Sequence, residues 1–305
     1  HPRPRARLPR PERPSGPHQR VDPSGPGRRK PPFRLWRALE GYEPLVRRPL
    51  PYDATGARAG TGNFERFYVL IGDLRDPTRA WCPEDAPRIA MRLGAGRALA
   101  FDVCAACVGF VHSVQTAAAM LTSHQWRRAL VVCSDQFSQR LKPGRRGSYV
   151  GGDGAGAAVI EAGPPDDSRL RDSVVLSYGE HAGVSKARGK DGWTVSLPSI
   201  AQVAAATAGE ATDLVLRRGG LTMADVDWVV PHPGSTRISE ELIRRIGADP
   251  AMVLTNLRTR GQTTSATIPS ALSEFTESGE LRKGDLILSP AAGAGWFSGA
   301  LLYQL

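Results

Sequence analysis

A chain of 305 residues that is 41% hydrophobic can bury one large core or two fused halves. Its formal charge of +10 is concentrated at one end: residues 1–50 hold 13 Lys or Arg against 4 Asp or Glu, and the other 255 residues hold 27 against 26. A nearly neutral body removes the case for a nucleic-acid-binding body, and the lack of an apolar run long enough to span a bilayer removes a transmembrane reading.

Residues 1–32 carry ten prolines among arginines and glycines. Such a segment buries too little surface to offset its ordering entropy, so disorder is predicted, and nothing aromatic or helical organises the basic tail into a nucleic-acid or membrane reader. Residues 33–66 add one short helix, expected around Phe33–Leu39. The chain begins at His1 rather than Met and has no apolar core of a signal peptide, so a fragment, a processed product or a misassigned start is expected, with residues 1–66 a disordered or aberrant basic segment. From Phe67 the character changes. Strands are predicted at Phe67–Ile71, Ala98–Val103, Ala129–Cys133, Ala157–Glu161, Val174–Tyr178, Val226–Val230, Leu286–Ser289 and Ala300–Gln304. Helices are predicted at Ala86–Leu93, Cys107–Leu121, Ile200–Arg217, Ser239–Ile246 and Ser265–Ser278, and Gly151–Gly156 reads as a glycine-rich turn. Short apolar strands alternating with helices indicate an α/β architecture with buried sheets.

The four cysteines are Cys82, Cys104, Cys107 and Cys133. A reducing cytoplasm is the expected compartment, which makes them thiols. Cys104 and Cys107 form a C-x-x-C, a spacing that can mean zinc or redox chemistry, but no second C-x-x-C or paired His accompanies it. No metal or cofactor is therefore expected. Residues 98–110 run A-L-A-F-D-V-C-A-A-C-V-G-F: an apolar strand, a tight small-residue turn, then a helix. A Cys107 nucleophile at that junction would gain a helix N-terminus to stabilise its thiolate and its own backbone N–H to face an oxyanion. A cysteine among alanines also fits a small core position, and Cys104, at the strand end, suits that description better.

The segment F-D-V-C-A-A-C-V-G-F resembles the active-site segment of the 3-oxoacyl-ACP synthase III family of the thiolase superfamily, and four more segments match in the same order. They are G-D-G-A-G-A-A at Gly152–Ala158, V-V-P-H-P-G-S-T-R-I at Val229–Ile238, G-Q-T-T-S-A-T-I-P-S-A-L at Gly261–Leu272, and the C-terminal A-A-G-A-G-W-F-S-G-A-L-L. The likeness covers roughly residues 67–305. It implies a duplicated five-layer α-β-α-β-α thiolase-like fold, incomplete or disordered at its N-terminus, with residues 67–165 in the first half and 166–305 in the second. It implies a homodimer, an acyl-CoA or acyl-ACP donor, a malonyl-ACP or malonyl-CoA extender and an acyl carrier protein as partner. Nucleic acid and membrane are not expected among the partners.

The resemblance also carries roles, residue by residue. Cys107 accepts the acyl group. His232, as a neutral imidazole, donates to the thioester oxygen of a malonyl extender while carbon dioxide leaves. Gln262 stands where the family has Asn; it offers the same amide but is one methylene longer, so its N–H₂ reaches the same point only if the backbone retreats. The main-chain N–H groups of Cys107 and Ala294 form the oxyanion site. Arg237 and Arg146 are candidates for the CoA or ACP contact. His1 and His18 in the tail, His112 and His124 flanking the Cys107 helix, and His181 in a loop receive no role. Pro233 and Ser235 depart from the family's usual Gln and Asn. Three readings follow: decarboxylative Claisen condensation in fatty-acid or polyketide synthesis, a non-decarboxylating transfer of the acyl group to an oxygen or nitrogen acceptor, and an inert partner subunit of a synthase.

Overall fold

The computed structural model describes residues 33–38, 68–72, 85–95, 97–124, 126–137, 149–163, 169–187, 193–195 and 200–305. Strands β1 (Phe33–Ala38) and β2 (Tyr68–Gly72), helix α1 (Asp85–Arg92), β3 (Leu99–Val103), α2 (Gly109–His124), β4 (Arg128–Gln136) and β5 (Asp153–Ala162) come first. They are followed by β6 (Leu170–Ser177), the hairpin β7 (Ser185–Ala187) and β8 (Trp193–Val195), α3 (Ile200–Gly219), β9 (Trp228–Val229), α4 (Thr236–Ile246), α5 (Thr267–Glu277), β10 (Leu286–Gly293) and β11 (Phe297–Gln304). The first sheet has the order β1-β5-β4-β2-β3 and the second β6-β11-β10-β9.

Burial along single strands shows why five layers form. In β4, Ala129, Val131 and Cys133 join a central cluster with α2 and α5, whereas Leu130 and Val132 pack with Ala86 and Ala90 of α1 on the opposite face. In β11, Leu301 and Tyr303 enter the same central cluster, while Ala300 and Leu302 meet α3 and α4. Alternate residues point to opposite faces, so a strand covered on both faces must be apolar throughout. The stack is α1, first sheet, α2 with α5, second sheet, α3 with α4: the α-β-α-β-α order the resemblance implies.

Two sequence expectations are corrected. The helix expected around Phe33–Leu39 is a strand, β1, paired antiparallel to β5 from Phe33↔Ala162 to Ala38↔Ala158. Six residues form too short a helix to stand alone, and the edge of β5 satisfies the same backbone groups. The glycine-rich turn at 151–156 is mostly strand, since β5 begins at Asp153. Its glycines serve close approach rather than turning. A Cβ on Gly152 would lie 2.1 Å from the carbonyl oxygen of Arg260, on Gly154 2.9 Å from Thr263, and on Gly156 2.9 Å from Pro269. Spaced by two, Gly154 and Gly156 share one face of β5, Gly152 lies just before it, and together they let the 260–270 segment rest on the backbone.

Candidate active site

The turn after β3 carries the thiol. A 3-10 turn, Ala106–Val108, precedes α2, and Ala106 takes a φ of 45°, a left-handed conformation that a small side chain tolerates best. Ala105 and Ala106 are buried, Cys107 is half-buried and Cys104 is exposed. Cys104 is thus no core residue; that place belongs to the fully buried Cys133 of β4. Among the described residues no group of three or more His, Cys, Asp or Glu could hold a metal ion.

Burial works against the expected thiolate stabilisation. Burial, reinforced by the negative charge of Asp135, pushes the Cys107 thiol from an ordinary 9.0 up to about 12; its backbone hydrogen bond and the Gln262 amide only partly oppose this. Removing the sulfur from water disfavours its charged form. The resting nucleophile is a neutral thiol.

Gln262 reaches Cys107 from the segment that precedes α5. Its Nε2 donates to Cys107 Sγ at 3.5 Å. Its backbone is stitched to the glycine strand: the Gln262 N–H donates to the Val150 carbonyl at 2.7 Å, and the Gly152 N–H to the Gln262 carbonyl at 3.0 Å. The extra methylene is absorbed by folding the amide back, so that Gln262 Oε1 accepts from the N–H of Thr264 at 3.2 Å. Thr264 opens the 3-10 turn Thr264–Ala266 before α5, has a φ of 51°, and donates its hydroxyl to Asp135 Oδ2.

His232 follows β9 and is almost wholly buried. Its backbone N–H donates to the Pro290 carbonyl of β10 at 2.9 Å. Burial holds the imidazole down at about 4, partly offset by a backbone hydrogen bond at Thr264, so the ring is neutral near pH 7. Nδ1 is buried with no hydrogen-bond partner among the described residues. The departures around it have local structural roles. Ser235 caps α4, accepting from the Ile238 N–H, and the Pro233 carbonyl accepts from the Ser235 N–H.

The glycine loop meets Cys107 at Gly293, the residue before the expected Ala294. A Cβ on Gly293 would lie 2.7 Å from the Cβ of Cys107 and 3.2 Å from its backbone nitrogen, so only glycine fits there. Ala294, the residue expected at this place, is half-buried in the following turn. Arg237 is exposed in the first turn of α4, and Arg146 lies outside the described residues. The structure therefore brings together Cys107, Gln262 and the Gly293 backbone, and ties His232 to them through Thr264. Sequence reading missed Asp135, Thr264 and Gly293. The signal for Asp135 was an acid closing the apolar run of β4; Thr264 and Gly293 lay inside segments already singled out.

With this geometry in place, comparison with known proteins is informative. The family described as 3-oxoacyl-(acyl-carrier-protein) synthase III matches residues 101–179, and its C-terminal counterpart matches residues 216–305. The chain is 35% identical over 231 residues to beta-ketoacyl-(acyl-carrier-protein) synthase III of Acidiphilium cryptum, covering 73% of this chain and 72% of that protein. It is 35% identical over 241 residues to a Streptomyces coelicolor synthase III, with the same coverage of both chains. Among solved structures, 3-oxoacyl-(acyl carrier protein) synthase III of Pseudomonas aeruginosa superposes with a TM-score of 0.74 at 29% identity, over 79% of this chain and 77% of that one. The priming beta-ketosynthase of a polyketide biosynthetic pathway superposes with a TM-score of 0.72 at 28% identity, over 79% and 75%.

Proposed function

Because this chain belongs to the 3-oxoacyl-(acyl-carrier-protein) synthase III family, we propose that it is a condensing acyltransferase in which Cys107, His232 and Gln262 divide the work. The observation that carries the reading is the Gln262 amide held 3.5 Å from the Cys107 sulfur across 155 residues of chain.

Cys107 Sγ attacks the carbonyl of an acyl thioester. The new C–S bond forms as the donor's C–S bond breaks, and the thiol proton leaves with the departing thiolate. A thiol raised to about 12 loses its proton in concert with attack rather than beforehand. The acyl oxygen then lies against the main-chain N–H groups of Cys107 and Ala294, beside the Gly293 backbone that abuts the nucleophile. A malonyl thioester next loses carbon dioxide. Neutral His232 and the Gln262 amide donate to the developing enolate oxygen, a role that suits an imidazole held down at about 4. The enolate carbon attacks the acyl-Cys107 carbonyl, a 3-oxoacyl thioester departs, and Cys107 leaves as thiolate and regains a proton. Acyl-CoA, a malonyl thioester and an acyl carrier protein are the substrates and partner, and exposed Arg237 suits the carrier's phosphate.

Homodimerisation belongs to the same proposal. β3 ends the first sheet with one edge unpaired among the described residues, and Leu99 on it is exposed; a second β3 would cover that edge. No helix among the described residues is long and apolar enough to cross a membrane; a cytoplasmic setting belongs to the same proposal. The test has two stages. Intact-protein mass spectrometry after incubation with an acyl-CoA should show one acyl adduct, absent from Cys107→Ala. Carboxyl-labelled malonyl thioester should then release carbon dioxide only with primer and Cys107 present. Loading without release would redirect the assignment to transfer onto an oxygen or nitrogen acceptor, and no loading would leave an inert partner subunit.

A further inference from the structure

We propose that Asp135 and Thr264 are positioning residues for this reaction: Asp135, from the first sheet, fixes the Thr264 turn so that Gln262 presents nitrogen, not oxygen, to Cys107. The inference rests on the reading of the site given above and deepens it.

A glutamine amide is nearly symmetric in shape, so its orientation must be set by a neighbour. Here the Thr264 N–H occupies Oε1 at 3.2 Å, which leaves Nε2 for Cys107 Sγ at 3.5 Å. Thr264 itself sits at a φ of 51°, a conformation that a β-branched residue rarely adopts, so the turn that carries this N–H needs an anchor. The Thr264 hydroxyl donating to Asp135 Oδ2 supplies the tie. Both partners are almost wholly buried, where such a bond is electrostatically stronger than in water. Asp135 is itself fixed by β4, paired opposite Gly154, whose missing Cβ makes room for Thr263. The backbone of Thr264 also bonds His232, so one tied residue steadies both groups. An acid beside the thiol opposes thiolate formation; activating Cys107 therefore does not explain its presence, whereas holding Thr264 does.

The experiment uses the full chain with acyl-CoA and malonyl thioester, comparing Asp135→Asn, Thr264→Val and Thr264→Ser. Asp135→Asn and Thr264→Val should lower kcat for condensation by about 10- to 100-fold, with little change in KM and with acyl loading of Cys107 retained. Thr264→Ser, which keeps the hydroxyl, should restore most of the rate. In a Gln262→Ala background, Asp135→Asn should cost much less than it does alone, because it acts through Gln262. Losses that multiply, or a wild-type kcat in Asp135→Asn, would overturn the relay. If Asp135→Asn fails to fold, the two Thr264 variants decide it: loss with Val and rescue by Ser support the relay, and equal rates overturn it. Absence of an acyl adduct on wild-type Cys107 would instead sink the reading of the site itself.

Discussion

The two turns that meet in the site are built alike and held differently. Each is a three-residue 3-10 turn leading into a helix of the central layer, and each has one non-glycine residue at positive φ: Ala106 at 45° before α2 and Thr264 at 51° before α5. At the thiol turn the unusual residue has almost no side chain and is buried, as are its neighbours Ala105 and Val108. At the amide turn it is β-branched and tied by its hydroxyl to Asp135. Packing can hold a turn whose only duty is to expose a sulfur. A turn that must orient an amide needs directional bonds.

The most severe way to break this comparison is to remove the group that the first turn exists to present. Cys107→Ala should lower condensation at least about 1,000-fold while leaving the melting temperature close to wild type, as a steady-state assay and a thermal melt would show. Acid and alkali separate the two sides by a different route. The unfolded chain protonates His232 near 6.5 and the folded one only near 4, so the unfolded state binds more protons between those values. The stability linked to His232 is complete above 6.5 and is lost as the pH falls toward 4, by on the order of 3 kcal/mol. Cys107, raised from 9.0 to about 12, gives the opposite flank: its share is complete below 9 and is lost as the pH rises. Urea titrations at stepped pH should show the acid flank flattened in His232→Gln and the alkaline flank flattened in Cys107→Ala.

A subtler break is Gly293→Ala, which places a methyl group 2.7 Å from the Cβ of Cys107. The thiol must shift, and a displacement of about an ångström lowers kcat on the order of 100-fold; acyl loading measured by mass spectrometry should slow in parallel. The smallest effects sharpen the comparison most directly. Thr264→Gly relieves the positive φ but discards the bond to Asp135, and should destabilise by about 2 kcal/mol. Ala106→Gly relieves its φ with nothing to lose but unfolded-state entropy, and should stabilise by about 0.5 kcal/mol. Opposite signs in chemical denaturation would confirm that bonds hold one turn and packing the other; equal signs would contradict it.

Much of the fold was legible because its strands are covered on both faces and read as apolar runs. β4 and β10 stood out as Ala129–Cys133 and Leu286–Ser289, although each runs further. The failures share a cause. β1 exists by pairing with β5, across more than a hundred residues, and the glycines of β5 are there for the 260–270 segment; a local reading sees a helix and a turn instead. In the site, Cys107 and His232 were found through the segments around them, and Gln262 was marked as a departure without its remedy being visible. Whether a longer amide could still reach the sulfur depended on the Thr264 N–H that folds it back.

The sequence by itself determined which residues bear the chemistry, the alternation of apolar strands and helices, and the family resemblance, because these rest on residue type and short-range pattern. Only the tertiary structure decided that Cys107 rests as a neutral thiol, that Gly293 abuts it, and that Asp135 holds Thr264. Each of these depends on burial, or on contact between residues far apart in the chain. Desolvation and hydrogen-bond direction come into being when the two sheets close on the central helices, and no local stretch of sequence carries them.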